Sequence, residues 1–202
     1  MAEKKLIDFK LGELIDNTRK PTAYPGGGAL ASLSGNLGIN LILMMAKKDY
    51  KDENLNKKGK KIFKKFIAYS QELKDLMQED VDRVNVLLKA FKNNEMDNID
   101  KLINDANIAP KRTIELMIIV LQDCDFLLEN GKFSTISDGE IGLRLVKECI
   151  HSSFVNVIMN EKYFDKDSNF KKTDYKSITK YCDKLYEKNM DIIRKRIKLW
   201  DK

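Results

Sequence analysis

Pro21-Thr22-Ala23-Tyr24-Pro25-Gly26-Gly27-Gly28-Ala29-Leu30 runs without interruption into Ala31-Ser32-Leu33-Ser34-Gly35-Asn36-Leu37-Gly38-Ile39-Asn40-Leu41-Ile42-Leu43-Met44-Met45-Ala46. A proline turn and three consecutive glycines thus open an apolar segment. Glycine is entropically costly, so three in a row imply positive φ or close approach of the backbone to something else. A glycine turn at a helix start also leaves backbone N–H groups free to face an anion or a polar ring. The segment predicts a helix over 29–47. Ala31, Ser34, Gly35 and Gly38 are small residues three and four apart, which admits a second helix at short range. Apolar nearly all round, this helix belongs in the centre of the domain or at a dimer interface. It approaches membrane-spanning length, but Ser32, Ser34, Asn36 and Asn40 interrupt it, so a buried core helix is the better reading.

Outside that segment glycine is sparse, and of the chain's three prolines only Pro110 remains. That favours helix almost throughout, and the length fits one domain, 1–202. The net charge of +6 comes from 37 basic and 31 acidic side chains interleaved along the chain. Nucleic-acid binders concentrate such charge on one element, so nucleic acid is not an expected partner. Cys124, Cys149 and Cys182 share no CxxC spacing, which supports neither a zinc site nor a disulfide framework. The N-terminus shows no apolar run of a signal peptide, and no membrane segment is expected. The expected location is cytoplasmic, with reduced thiols.

Further helices follow from apolar periodicity. A short one covers 5–17, and a polar loop covers 49–58. A long helix spans 58–93, with Phe66, Leu73, Asp80 and Leu87 seven residues apart in a bundle-like seam. A fourth spans 97–129, with a kink or split near Ala109 because Pro110 removes a donor. Asn130-Gly131 reads as a C-cap. Ser137 and Glu140 read as a capping box for a helix over 138–161. A last amphipathic helix covers 174–200 and includes Trp200. The expectation is an all-α, single-domain bundle of five to six helices with one long central helix.

Asp80 is the first candidate for chemistry. A carboxylate in an apolar seam loses hydration, which raises its pKa and suits proton transfer; pairing with a lysine from a neighbouring helix is the equal alternative. Asp138 stands in the first turn of its helix, where an acid ordinarily just complements the dipole. Its functional reading requires that this helix start face the same cavity as Asp80. Asn156 and Asn160, with Glu148 and Ser152, form a polar stripe at i, i+4; paired amides there can hold a polar heterocycle, and a stripe satisfied across a helix pair or facing water is the alternative. The lone His151 lacks partners for a triad or metal site and reads as surface or interface. Lys47, Lys48 and Lys92 read as a solvated surface or as contacts for an acidic ligand tail. No GK[ST] follows the three glycines, so they are not a P-loop.

Taken together, these stretches resemble the cyclodeaminase/cyclohydrolase family of folate enzymes. The opening motif is carried by Ala23-Tyr24-Pro25-Gly26-Gly27-Gly28-Ala29-Leu30. A second stretch is carried by Asp80, Leu87, Ala90, Phe91 and Lys92, with Arg83 and Val84 departing from it and Pro110 following. A third is carried by Asn130, Ser137, Asp138, Asn156, Val157 and Asn160, with Met159 at an isoleucine position. The turn Lys47-Lys48-Asp49-Tyr50 is shorter than in the family. The resemblance implies an all-helical homodimer acting on one-carbon adducts of tetrahydrofolate, with or without a polyglutamyl tail, and with no metal or redox cofactor. It gives Asp80 the proton transfer and Asp138 cation stabilisation or pterin binding, or the same two roles exchanged between them. Gly26, Gly27 and Gly28 would lie against the ligand, Asn156 and Asn160 would orient it, and lysines such as Lys92 would meet its glutamate tail. Gly27→Val is then expected to abolish turnover. The competing reading is a non-catalytic helical module that binds folate or docks a partner.

Overall fold

The longest element, α3 (Glu53–Asn93), runs the length of the molecule. It begins five residues earlier than the periodicity suggests, because the Asp52 carboxylate caps it by accepting the N–H of Leu55 at 2.9 Å. It ends at Asn94, which takes the left-handed conformation. The computed structural model describes residues 4–21, 24–164, 168–170 and 172–200; Ala23 of the opening motif and the side chain of Trp200 lie outside them. Among the described residues every regular element is a helix, with no strand.

Helix α2 (Gly27–Leu43) lies between α3 and α7 (Ile136–Glu161) and meets both along its length. Its small residues face α7 as the sequence suggests. A Cβ added to Gly38 would stand 2.8 Å from the Gly142 carbonyl oxygen, and one added to Gly35 would stand 2.6 Å from Cys149 Sγ. The pair is antiparallel, since Gly27 is beside Asn156 and Gly139 is beside Met45. Gly38→Val is therefore expected to cost roughly 3 kcal/mol, because a backbone carbonyl cannot swing aside as a side chain can. Urea denaturation should show the loss with little change in helical signal before the transition.

On its other flank α2 is tied to α3 by buried polar groups. The Asn36 amide donates to the Ser70 carbonyl at 2.6 Å, and Ser70 Oγ donates to Asn36 Oδ1 at 2.9 Å. Asn40 adds donors to Asn36 and Ser70. Beneath α2 lies α5 (Ile108–Asp123), joined by the buried hydroxyl pair Ser32 and Thr113, 2.9 Å apart. α8 (Tyr175–Trp200) packs outside α7, where Lys147 and His151 both approach Asp183, at 3.0 and 3.3 Å.

Three expectations need correction in detail. The segment 5–17 is not one helix. A 3-10 turn, Leu6–Asp8, gives way to extended backbone at Phe9 and Lys10, and α1 (Leu11–Thr18) follows. Leu6 is buried and its N–H is held by Gln78, which bends the chain away from a continuous helix. The expected helix 97–129 is α4 (Ile99–Ala106), α5 and α6 (Asp125–Asn130). The break is at Asn107, so Pro110 falls in the first turn of α5, where no donor is needed. Finally, Ser137 lies inside α7, whose first residue is Ile136, and forms no capping box. A 3-10 turn, Phe133–Thr135, leads into this helix, anchored by Thr135 Oγ1 donating to the Met44 carbonyl at 3.2 Å. Gly131 ends α6 in extended rather than left-handed backbone. It is glycine because a Cβ would meet the carbonyls of Leu127 and Met45. Among the described helices none is long and apolar enough to cross a membrane.

Candidate active site

At the N-terminus of α2 the glycines meet α3 and the C-terminal half of α7 around a cavity of about 390 Å³. Gly26 caps the helix with extended backbone, and Gly27 and Gly28 form its first turn. Among the described residues no glycine has positive φ. Close approach is the reason for Gly28: a Cβ there would lie 2.3 Å from Asp80 Oδ1. At Gly27 the nearest atom, Asn156 Oδ1, would be 3.7 Å away, an ordinary contact. The third glycine turn residue thus serves the carboxylate, while the second faces the cavity.

Asp80 projects from α3 toward this turn and is 5% exposed. Burial pushes its carboxyl up to about 6, and a hydrogen bond from the backbone N–H of Ala29 works in the opposite direction. No lysine pairs with it among the described residues, so of its two readings the structure keeps the perturbed carboxyl. Val84 and Leu88, one and two turns further along α3, make an apolar wall, and Pro21 closes another side.

Asn156 and Asn160 both line the cavity. Asn156 has no side-chain hydrogen bond among the described residues. Asn160 donates to Asn107 Oδ1 at 2.9 Å. Asn107 is fully buried and its own Nδ2 lacks a partner among the described residues. Asn107 and Leu88 are not among the candidates read from the sequence, and Val84 stands there only as a departure from the second motif. Asn107 reads as an ordinary residue between two helices, and only the tertiary fold sets it under Asn160.

Two candidates are not brought here within one chain. Asp138 is in the first turn of α7, eighteen residues before Asn156, or ~27 Å of helix. It stands near the C-terminal end of α2, where Gly139 abuts Met45. Lys92 is exposed, twelve residues or ~18 Å beyond Asp80 on α3, and does not line the cavity. Lys47 and Lys48 are also at the far end, edging an apolar groove with Phe63. No group of histidine, cysteine and acidic side chains among the described residues is arranged to hold a metal.

The cavity therefore offers one carboxyl raised by burial to about 6, the unused amide of Asn156 and the N–H groups of a helix start. Such a set can hold a polar, planar ligand and move a proton to or from it.

Comparison with known proteins points the same way. The family model of formiminotransferase-cyclodeaminase matches residues 10–180. Formimidoyltransferase-cyclodeaminase of Mus musculus is 23% identical over 186 residues, 86% of this chain and 34% of the relative. The Rattus norvegicus protein matches to the same extent, so the chain spans about a third of the length of these relatives. Methenyltetrahydrofolate cyclohydrolase of Methylorubrum extorquens is 22% identical over 165 residues, 75% of this chain and 78% of the relative. The crystal structure of formiminotetrahydrofolate cyclodeaminase from Thermotoga maritima superposes with a TM-score of 0.80 at 22% identity, covering 94% of this chain and 96% of that one.

Proposed function

Because the chain belongs to the formiminotransferase-cyclodeaminase family, we propose that it is an enzyme interconverting one-carbon adducts of tetrahydrofolate at the Asp80 cavity. Two reactions fit. One hydrolyses 5,10-methenyltetrahydrofolate to 10-formyltetrahydrofolate; the other cyclises 5-formiminotetrahydrofolate with loss of ammonia. The observation that carries the reading is Asp80, a buried carboxyl raised to about 6 against the glycine turn of α2 and beside the unpartnered amide of Asn156.

In the hydrolysis, the Asp80 carboxylate takes a proton from water as its oxygen adds to the amidinium carbon. The neutral adduct then breaks its carbon–N5 bond. Asp80 returns its proton to N5, the adduct's hydroxyl proton leaves to solvent, and the formyl group stays on N10. In the cyclisation, Asp80 takes the proton of N10 as that nitrogen attacks the formimino carbon, and donates to the amine that departs as ammonia. A group titrating near neutrality serves both directions of transfer. Neither reaction exchanges electrons, so no redox cofactor is needed. The N–H groups of Gly27 and Gly28 and the amides of Asn156 and Asn160 bind and orient the pterin ring. The active form in this reading is a cytoplasmic homodimer, and lysines take the glutamate tail.

Loss of the near-ultraviolet absorbance of the methenyl compound, or its appearance from the formimino compound, tests the proposal directly. Purified protein that catalyses neither would sink it, and binding without turnover would make the chain a folate-binding module. Rates measured side by side on the two substrates decide which reaction dominates.

A further inference from the structure

The break between α4 and α5 holds an asparagine whose side chain serves neither helix. Asn107 closes α4 and stands at the N-cap of α5. Asparagine is favoured at an N-cap because its side-chain oxygen accepts from the N–H groups of the first turn. Here the side chain makes no such bond. Its Oδ1 accepts instead from Asn160 Nδ2, 2.9 Å away and 53 residues on. Asn107 is fully buried, and its Nδ2 has no partner among the described residues. A cap forgone and a buried amide with one edge unpaired both lower stability. What the residue provides in exchange is a hold on a side chain of the cavity wall.

The backbone at this corner is secured by other means. Lys111 Nζ reaches Glu161 at 3.0 Å, which ties the start of α5 to the end of α7. Thr173 donates its N–H and its hydroxyl to the same buried carboxylate, at 2.8 and 2.7 Å. Asn107 is therefore not needed to dock α5 on α7. Its bond governs one thing, the setting of the Asn160 amide. A primary amide on a cavity wall can turn by half a revolution and offer a ligand either its carbonyl oxygen or its NH2 group. The bond to Asn107 commits Nδ2 to the protein and leaves Oδ1, an acceptor, for the cavity.

We propose that Asn107 is a positioning residue, which holds the Asn160 amide with its carbonyl oxygen toward the ligand, so that this wall reads an N–H donor. The role rests on the folate reading above, in which the donor is the ring N–H of the 2-amino-4-oxo edge of the pterin. A 2,4-diamino ring carries an acceptor at that nitrogen and would face Oδ1 lone pair to lone pair. A site built to pair with a donor rejects an analogue that lacks it.

Kinetics on two variants tests the role. Asn107→Leu keeps the branching of the side chain, and Asn107→Ala cannot crowd the site. Each should fold with the parent's helical signal, raise KM about 10-fold for whichever substrate is turned over, and leave kcat within about 3-fold. In an Asn160→Ala background neither should add a further effect. Calorimetry should find a 2-amino-4-oxo tetrahydropterin bound at least 10-fold more tightly than its 2,4-diamino counterpart by the parent, and within about 3-fold by Asn107→Leu. Wild-type KM in a folded variant, a full additive effect on Asn160→Ala, or equal binding of the two pterins by the parent overturns the positioning role. Failure of both variants to fold overturns it as well, since the residue is then structural.

One arm needs no substrate. In the ligand-free protein, hydrogen exchange of the Asn160 carboxamide, followed by NMR, should be at least 10-fold slower than in Asn107→Leu. Equal exchange overturns the hold on Asn160. Absence of turnover in the wild-type protein overturns the folate reading and the ring assignment with it, whereas the exchange result decides the Asn107 contact on its own.

Discussion

Asparagine in place of Asp80 is expected to lower turnover by roughly 10²- to 10⁴-fold and at the same time to stabilise the protein. The two effects share one cause. Burial against Gly28 raises the Asp80 carboxyl from its ordinary 3.8 to about 6. Folding then favours the protonated form. Stability from this group is fully present below about pH 4, where folded and unfolded chains both hold the proton, and is lost as pH rises through about 6. A shift of about two units corresponds to roughly 3 kcal/mol above pH 7. Asparagine keeps the shape and an acceptor for the Ala29 N–H but has no charge to desolvate. Urea denaturation at pH 8 should therefore find Asp80→Asn more stable than the parent by up to about 3 kcal/mol, with the difference vanishing near pH 4. A variant that keeps full turnover removes Asp80 from the proton transfer. One that is less stable at pH 8 shows instead that the charge is well solvated.

Alanine at position 28 should be nearly as damaging to catalysis, by ~10²-fold, and far milder to the fold. Its methyl would lie 2.3 Å from Asp80 Oδ1, so the carboxyl must leave its place against the helix start. Because the end of a side chain moves rather than backbone, and because alanine favours helix over glycine by about 1 kcal/mol, the melting point should barely change. Gly27→Ala is the control. Its methyl would have 3.7 Å to Asn156 Oδ1, and turnover should stay within a few-fold of wild type. The sharper steric probe is therefore position 28 rather than the Gly27→Val to which the family resemblance led. Equal rates for the two alanine variants would detach Gly28 from the chemistry.

Much of this architecture was readable in the residues. A single apolar helix with small residues at i, i+3 and i+4 placed α2 at the centre, and a seven-residue seam placed α3 beside it with Asp80 inward. Helix starts were read less well, because their causes are remote in sequence. Thr135 reaches the Met44 carbonyl, so α7 starts ahead of the local capping pattern at Ser137 and Glu140. Leu6 is pulled onto Gln78, so the apolar spacing at residues 6–15 does not become one helix. At the cavity, Gly28, Asp80, Asn156 and Asn160 converge, although they lie far apart in sequence. Periodicity carries no information on which ends of two helices meet, and so could not reveal that antiparallel packing takes Asp138 away from its own Asp80. Asn107 leaves no mark in sequence at all, since its burial under Asn160 is wholly tertiary.

The ladder of Asn36, Ser70 and Asn40 between α2 and α3 has a consequence beyond the hydrogen bonds it satisfies. A helix that is oily on nearly every side gains almost the same burial at any angle about its own axis. Its neighbours therefore need a polar key to set its rotational phase. Turned by a single residue, ~100°, α2 would swing Gly28 off Asp80. Three small polar side chains thus fix which side of one rod faces the Asp80 cavity. An aliphatic replacement of all three should leave a protein that still folds but has lost its timing mark.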